Sequence, residues 1–256
     1  MLATRSATRS SAPDFIERWA QHIMGEEIPW FPSGIFPGEM AAFLGLCEFY
    51  RVETIIESGR RHGYSTQMLG EFTRWTPCEA ISIDLEEDAA IAADCRRRLG
   101  KYDGLELLVG DAFDILPNVA RRATGRIALL IDGPKKHEAN RLSATAAALF
   151  DVVLVAHHNA GPDTSWGREF AEWFPQARYY EEMGFEGASW FREFKAWERE
   201  VVGDAPLGDR SVDRSDMAIA PLSDDERGKR RLWSLDRRPS PRHPLFLALK
   251  WWARLA

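Results

Sequence analysis

The sequence predicts an α/β fold: a doubly wound, mostly parallel sheet with helices on both faces. Three observations predict it. Short apolar runs recur at about 53–57, 80–84, 105–109, 126–132 and 151–157. Stretches with helical spacing lie between them, at about 64–74, 87–99, 112–121 and 137–149. Strands that alternate with amphipathic helices build a parallel sheet covered on both sides. Finally, the polar residues with most chemistry, among them Glu57, Asp84, Asp132 and His158, stand at the carboxyl ends of those runs. Sheets of this kind bind ligands there.

The elements follow in order. Residues 1–12 carry two arginines and no acid, and predict a disordered N-terminal tail. Phe15, Ile16, Trp19 and Ile23 have helical spacing, as do Met40, Phe43, Leu44 and Cys47 after Pro37. Two helices therefore precede the sheet. The loop between them, rich in proline and aromatics, is placed to lie over a pocket. The five strand–helix units follow. From Trp166 to Trp197 the chain is rich in aromatic residues. A helix and then an antiparallel hairpin are expected, with most rings in packing and some lining an acceptor pocket. From 203 to 244 Asp, Arg, Ser, Pro and Gly dominate, which reads as a linker or loosely docked tail. Residues 244–256 are apolar with two basic residues. They are expected to form an amphipathic segment that docks on its own domain, with a peripheral membrane or partner contact as the alternative. The expected organisation is thus a tail at 1–12, an α/β domain at 13–202, and a linker with its amphipathic end at 203–256.

Composition narrows the functional classes. The 256 residues carry a formal net charge of −6, which argues against general nucleic-acid binding. Cys47, Cys78 and Cys95 are odd in number and form no CxxC pair. A reducing, cytoplasmic location fits them. No apolar run approaches the roughly 20 residues of a membrane span.

The most informative stretch is Glu57-x-Gly59-x-x-x-Gly63-Tyr64-Ser65, followed by a helix and then by a strand ending in Asp84. Glycines let a backbone approach a ligand closely, and a helix start offers unpaired N–H groups. An acid after the second strand suits ribose hydroxyls. This layout points to a nucleoside cofactor. A strand–helix turn of an unrelated α/β protein is the bland alternative.

Over about residues 52–163 these motifs resemble class I S-adenosylmethionine-dependent methyltransferases, and most of all the catechol and caffeoyl-CoA type of O-methyltransferase. The resemblance implies a Rossmann-like methyltransferase fold, S-adenosyl-L-methionine as cofactor, and methylation of a hydroxyl on a small-molecule or sugar acceptor. It implies Glu57 and Gly59 beside the methionine part, within the turn that also holds Gly63 and Tyr64. Ser65 would touch the cofactor carboxylate and Asp84 the ribose. Asp111, Ala112 and Phe113 would flank the adenine.

The resemblance also implies that Asp132 binds a divalent metal at the cofactor's edge and that Lys135 is the general base. Asn159 matches a further ligand, but His158 stands where an aspartate is expected. An Asp132–His158–Asn159 set suits Mn, Fe or Zn better than Mg. Alternatively no metal binds, and His157 or His158 is the base. Arg60, Arg61 and His62 depart from the family, and the two arginines are expected to be solvated or paired. Two other readings stay open. One is a nucleotide-dependent oxidoreductase, weakened by the missing Gly-x-Gly-x-x-Gly run. The other is a non-catalytic, methyltransferase-like binding module. A homo-oligomer is also left open.

Overall fold

The computed structural model describes residues 11–26, 28–32, 34–203, 205 and 210–223. Five strands form where the apolar runs predict them: β1 (Thr54–Ser58), β2 (Glu79–Asp84), β3 (Leu105–Val109), β4 (Ile127–Ile131) and β5 (Val152–His157). Their order is β3-β2-β1-β4-β5, all parallel, and β6 (Ala218–Pro221) joins β5 antiparallel. The chain reverses its winding between β1 and β4, which makes that edge the switch point.

Strand periodicity explains the two cores. Ile55, Leu130 and Leu154 point to one face, where α1 (Ala12–Gly25), α2 (Pro37–Phe49) and α3 (Tyr64–Trp75) pack. Ile56, Leu129 and Val155 point to the other, against α5 (Ala112–Arg122), α6 (His137–Leu149) and α7 (Ser165–Trp173). Both faces are buried, so the strands read as continuous apolar runs. α4 (Ala89–Leu99) packs Cys95 and Leu99 on Tyr102. Helix starts are capped by side chains: Asp88 accepts from the N–H groups of Ala90 and Ile91, and Asp111 from that of Phe113. Among the described residues, no helix is long and apolar enough to cross a membrane.

Two expectations are corrected. Residues 166–197 form no hairpin. They form α7, a 3-10 turn at Tyr180–Met183, and most of α8 (Ser189–Val202). Phe191, Phe194, Lys195 and Glu198 are buried at spacings of three, one and three, which is a helical stripe. Residues 210–223, expected as linker, dock into the fold. The Ile219 N–H donates to the Arg178 carbonyl and the Arg178 N–H to that of Ile219, each at 2.9 Å, while β6 pairs with β5. The run Met217-Ala-Ile-Ala-Pro-Leu222 is short, and it lies within a charged stretch that hides it. The expected tail falls almost wholly outside the described residues, although α1 already begins at Ala12. The amphipathic segment 244–256 lies entirely outside them.

Candidate functional site

The site begins where β1 ends. Gly59 has φ +95°, and a Cβ there would lie 2.5 Å from the Gly133 nitrogen and 2.7 Å from the Asp132 carbonyl carbon. Only glycine lets these two backbones touch. The N–H groups of Asp132 and Gly133 both donate to the Ser58 carbonyl at 2.7 Å, and that of Gly59 donates to Ile83 at 2.9 Å. The ends of β1, β2 and β4 are thus stitched into one rim. Gly63, also left-handed at φ +75°, starts α3.

Asp84 braces the turn. Its Oδ2 accepts from the N–H groups of Arg60 (2.7 Å) and Arg61 (3.0 Å), and its Oδ1 from that of Glu86 (2.7 Å). Arg60 folds inward. Its guanidinium is 1% exposed and donates to Glu86 at 2.6 Å and to the Ser82 carbonyl at 2.9 Å. Arg60 is therefore paired, as expected, and Arg61 is exposed.

These elements surround a cleft of about 640 Å³, a size suited to a nucleoside-type ligand. Leu85, Ile91, Ala112 and Phe113 supply apolar wall, and Leu85 is 57% exposed. Seven acids and three basic residues line the cleft. Of the bases, Arg60 is already paired with Glu86 and Lys135 with Asp132. The cleft therefore favours a cationic ligand.

The structure brings Gly59, Asp84, Asp111, Ala112, Phe113 and Asp132 together on the cleft wall. Glu57, Gly63, Tyr64 and Ser65 are not on it. Glu57 is fully buried and accepts hydrogen bonds of 2.5 Å from the hydroxyls of Ser65, Thr66 and Ser82. Burial pushes its carboxyl up, against the pull of those hydroxyls. Glu57 and Ser65 thus hold the turn from behind.

The neighbouring edge, between β4 and β5, is a charged cluster. Asp132 Oδ1 lies 2.6 Å from His158 Nδ1, accepts from Asn159 Nδ2 at 3.2 Å, and pairs with Lys135 Nζ. Burial alone would push Asp132 up, but His158 and Lys135 hold it below the usual carboxylate range. His158 Nε2 is 3.2 Å from Asp216 Oδ1 and 3.1 Å from Arg210 Nη2. Burial opposes charge on this ring, yet Asp132 and Asp216 outweigh it and push the pKa up to about 9. Asp216 is driven down to about 2, where His158 and Arg210 overcome burial. Glu39, pushed up to about 7 by burial and by Asp216, accepts from the N–H groups of Asp216 and Met217 and from the Ser215 hydroxyl. Sequence reasoning missed Glu39, Arg210 and Asp216. One signal was present, an acid at Glu39 directly before the uncharged run Met40 to Cys47.

Both histidines called as bases are occupied otherwise. His158 is held between two carboxylates. His157 points to the opposite face, is fully buried, and lies 2.8 Å from Asn140 Oδ1 through Nδ1. Burial, with His158 next, lowers its pKa to about 3. A histidine whose folded pKa lies below its unfolded value contributes stability above the unfolded pKa and loses it as pH falls. Below about pH 6.5 the loss is about 1.4 kcal/mol per unit, or about 2 kcal/mol at pH 5. Glu39 and His158, both pushed up, respond to the same pH window with the opposite sign, so the loss is read as a difference between proteins: from pH 7 to pH 5 His157→Gln is expected to gain about 2 kcal/mol on the wild type in urea unfolding. Equal pH responses in both proteins would take His157 out of the acid response.

The residues expected to bind a metal do not fit one as a three-ligand set, because His158 has neither nitrogen free and the set turns inward on Asp132 Oδ1. A ligand needs a free lone pair. Asp132 Oδ1 already faces three donors, Asn159 turns its NH₂ toward that carboxylate, and both His158 nitrogens are engaged.

No protein-family model matches the chain, and no curated protein does. Solved structures do. One is the O-methyltransferase from Bacillus cereus in complex with SAH: 18% identity, 68% of this chain, 84% of that one, TM-score 0.44. Another is TomG, an O-methyltransferase from Streptomyces achromogenes solved with SAM: 13%, 86%, 93% and 0.43. A third is the SAH-bound methyltransferase PaMTH1 from Podospora anserina: 15%, 84%, 89% and 0.41. Overlaps this partial carry no functional weight, and the activity is read from this chain's own residues.

Proposed function

We propose that the cleft binds S-adenosylmethionine and that the protein is a methyltransferase acting on a hydroxyl of a small molecule or sugar. One observation carries this reading: an acid-lined cleft at the switch point, floored by Gly59 against Gly133, with Asp84 on its wall. When bound, the cofactor supplies a methyl carbon already made electrophilic by its sulfonium. The chain's task is then mainly orientation. A carboxylate has about four acceptor positions, and Asp84 uses three on backbone N–H groups. One remains for a ribose hydroxyl. Leu85 and Phe113 offer apolar surface to a flat base. The acidic lining favours the ammonium and sulfonium together.

The acceptor proton needs a receiver. Lys135 is half-exposed, lines the cleft and sits on Asp132. With His157 buried on the other face and His158 fixed, Lys135 is the base this reading assigns: its half-exposed ammonium first releases a proton to water, and the neutral amine then takes the acceptor proton. The oxidoreductase alternative gains nothing here, because the turn after Gly59 is filled by Arg60 rather than opened for a pyrophosphate.

The test is detection of S-adenosylhomocysteine and of the methylated product by mass spectrometry across hydroxyl acceptors. Lys135→Met is expected to lower kcat by about a hundredfold while leaving cofactor affinity within about threefold. A methyl group found on nitrogen or carbon would overturn the hydroxyl assignment. An unchanged kcat would remove Lys135 from the proton path.

A further inference from the structure

We propose that the guanidinium of Arg210 holds the place of a divalent cation at the β4–β5 edge, so that this chain works with no metal bound there. Glu39, His158 and Asp216 have ligand-type atoms that all lie within 4.8 Å of one another. Such a group invites a cation, and the cation present is Arg210. Its Nη2 is 3.1 Å from His158 Nε2 and donates to the Gly34 carbonyl at 2.9 Å. Its Nε is 3.1 Å from Asp216 Oδ2, an ion-pair distance without hydrogen-bond alignment. Its carbon Cζ lies 4.2 Å from the centre of the Phe36 ring, a cation–π contact.

Most of the remaining lone pairs are spent on protein donors. Glu39 Oε1 accepts from the Ser215 hydroxyl at 2.8 Å and from the N–H groups of Asp216 and Met217 at 2.9 and 3.0 Å. Glu39 Oε2 accepts from the Phe36 N–H at 2.9 Å. Asp216 Oδ1 is buried without a hydrogen-bond partner and faces His158 Nε2. Asp132 is held by His158 and Lys135. The three carboxylates Glu39, Asp132 and Asp216 thus meet three basic side chains, His158, Lys135 and Arg210. A dication would have to expel Arg210 and lose its ion pair, its hydrogen bond and its ring contact together. The delivery is also built. Glu39 clips residues 215–217, and this brings Arg210 over the edge. A guanidinium keeps its charge at any physiological pH and cannot be removed by a chelator.

The experiment uses the full chain, stripped of metal by chelator and dialysed. Mg²⁺, Mn²⁺ and Zn²⁺ are titrated by calorimetry, with native mass spectrometry to count bound ions. No saturable binding that Asp132→Asn, Glu39→Gln or Asp216→Asn abolishes is expected. Binding that survives all three single variants lies elsewhere and leaves the edge metal-free, as proposed. One equivalent of any of these ions, lost in any of the three, would overturn the proposal. The double variant His158→Asp/Arg210→Ala is expected to gain one Mn²⁺, because the edge then offers a further carboxylate and loses the two basic side chains, His158 and Arg210, that face Asp216. A double variant that folds by circular dichroism yet gains no ion would overturn the role given to Arg210. Should it fail to fold, the wild-type titration decides alone. The activity arm rests on the methyltransferase reading: EDTA is expected to change methyl transfer by less than about twofold. S-adenosylhomocysteine titrated into the same samples separates the two claims, since its failure to bind sinks the methyltransferase reading while the metal count still decides the edge.

Discussion

Gly59→Ala is expected to remove nucleoside binding and to lower stability by about 3 kcal/mol. Two costs add. A side chain at φ +95° is strained, by roughly 1–2 kcal/mol. The new Cβ also meets backbone, the Gly133 nitrogen at 2.5 Å and the Asp132 carbonyl carbon at 2.7 Å, which cannot swing aside as a side chain would. Overpacking of that kind costs about 1–3 kcal/mol. Relief requires β1 and β4 to part, and the Ser58 carbonyl then loses the N–H groups of Asp132 and Gly133. The cleft floor goes with them. For a chain of this size the melting temperature is expected to fall by roughly 6–12 °C. Thermal unfolding and calorimetric titration check it. A variant that melts like the wild type and binds equally well would show that the β1–β4 contact is not the floor of the site.

Glu39→Ala is expected to release residues 210–223 and to cost about 3–5 kcal/mol. The carboxylate satisfies the N–H groups of Phe36, Asp216 and Met217 and the hydroxyl of Ser215. Alanine leaves a cavity and orphans the N–H groups of Phe36 and Asp216 in a site that is 1% exposed, while Ser215 and Met217 keep only the longer bonds they make to each other. The strap would trade that burial for water, and Arg210 and β6 would leave with it. Trypsin is the direct probe. Cleavage after Arg210 or Arg214 should be slow in the wild type and at least about tenfold faster in the variant, because local opening exposes the bonds. Urea unfolding gives the energy. Unchanged cleavage would mean that β6 pairing alone holds the strap.

The sheet was legible because buried parallel strands are short, apolar and evenly spaced, and the five expected runs coincide with β1 to β5. The cleft was legible in part. Acids at strand ends point to a ligand edge, and Asp84, Asp111 and Asp132 do line it. Spacing alone does not say on which side of a turn an acid falls. Glu57 faces α3 and its hydroxyls, not the cleft. The two adjacent histidines carry the same lesson. Strand side chains alternate, so His157 and His158 have to face opposite sides, and only one can join Asp132. Two things were not legible. The helical stripe of α8 was masked by an excess of aromatic residues. The Glu39–Ser215, Glu39–Met217 and Gly34–Arg210 contacts join residues 176 to 178 positions apart, with no local pattern to announce them.

Leu85 gives the cleanest handle on the cleft, because it is exposed and lines the wall. Calorimetric titration of S-adenosylhomocysteine into the wild type and into Leu85→Asp, with NAD⁺ as control, is therefore the decisive measurement. The wild type should bind the nucleoside one to one and ignore NAD⁺. The variant should melt as the wild type does and bind at least about tenfold more weakly, since burying apolar surface of this size contributes 1.5–3 kcal/mol, by rough reckoning. No heat with S-adenosylhomocysteine, or equal affinity in both proteins, would contradict the assignment of this cleft.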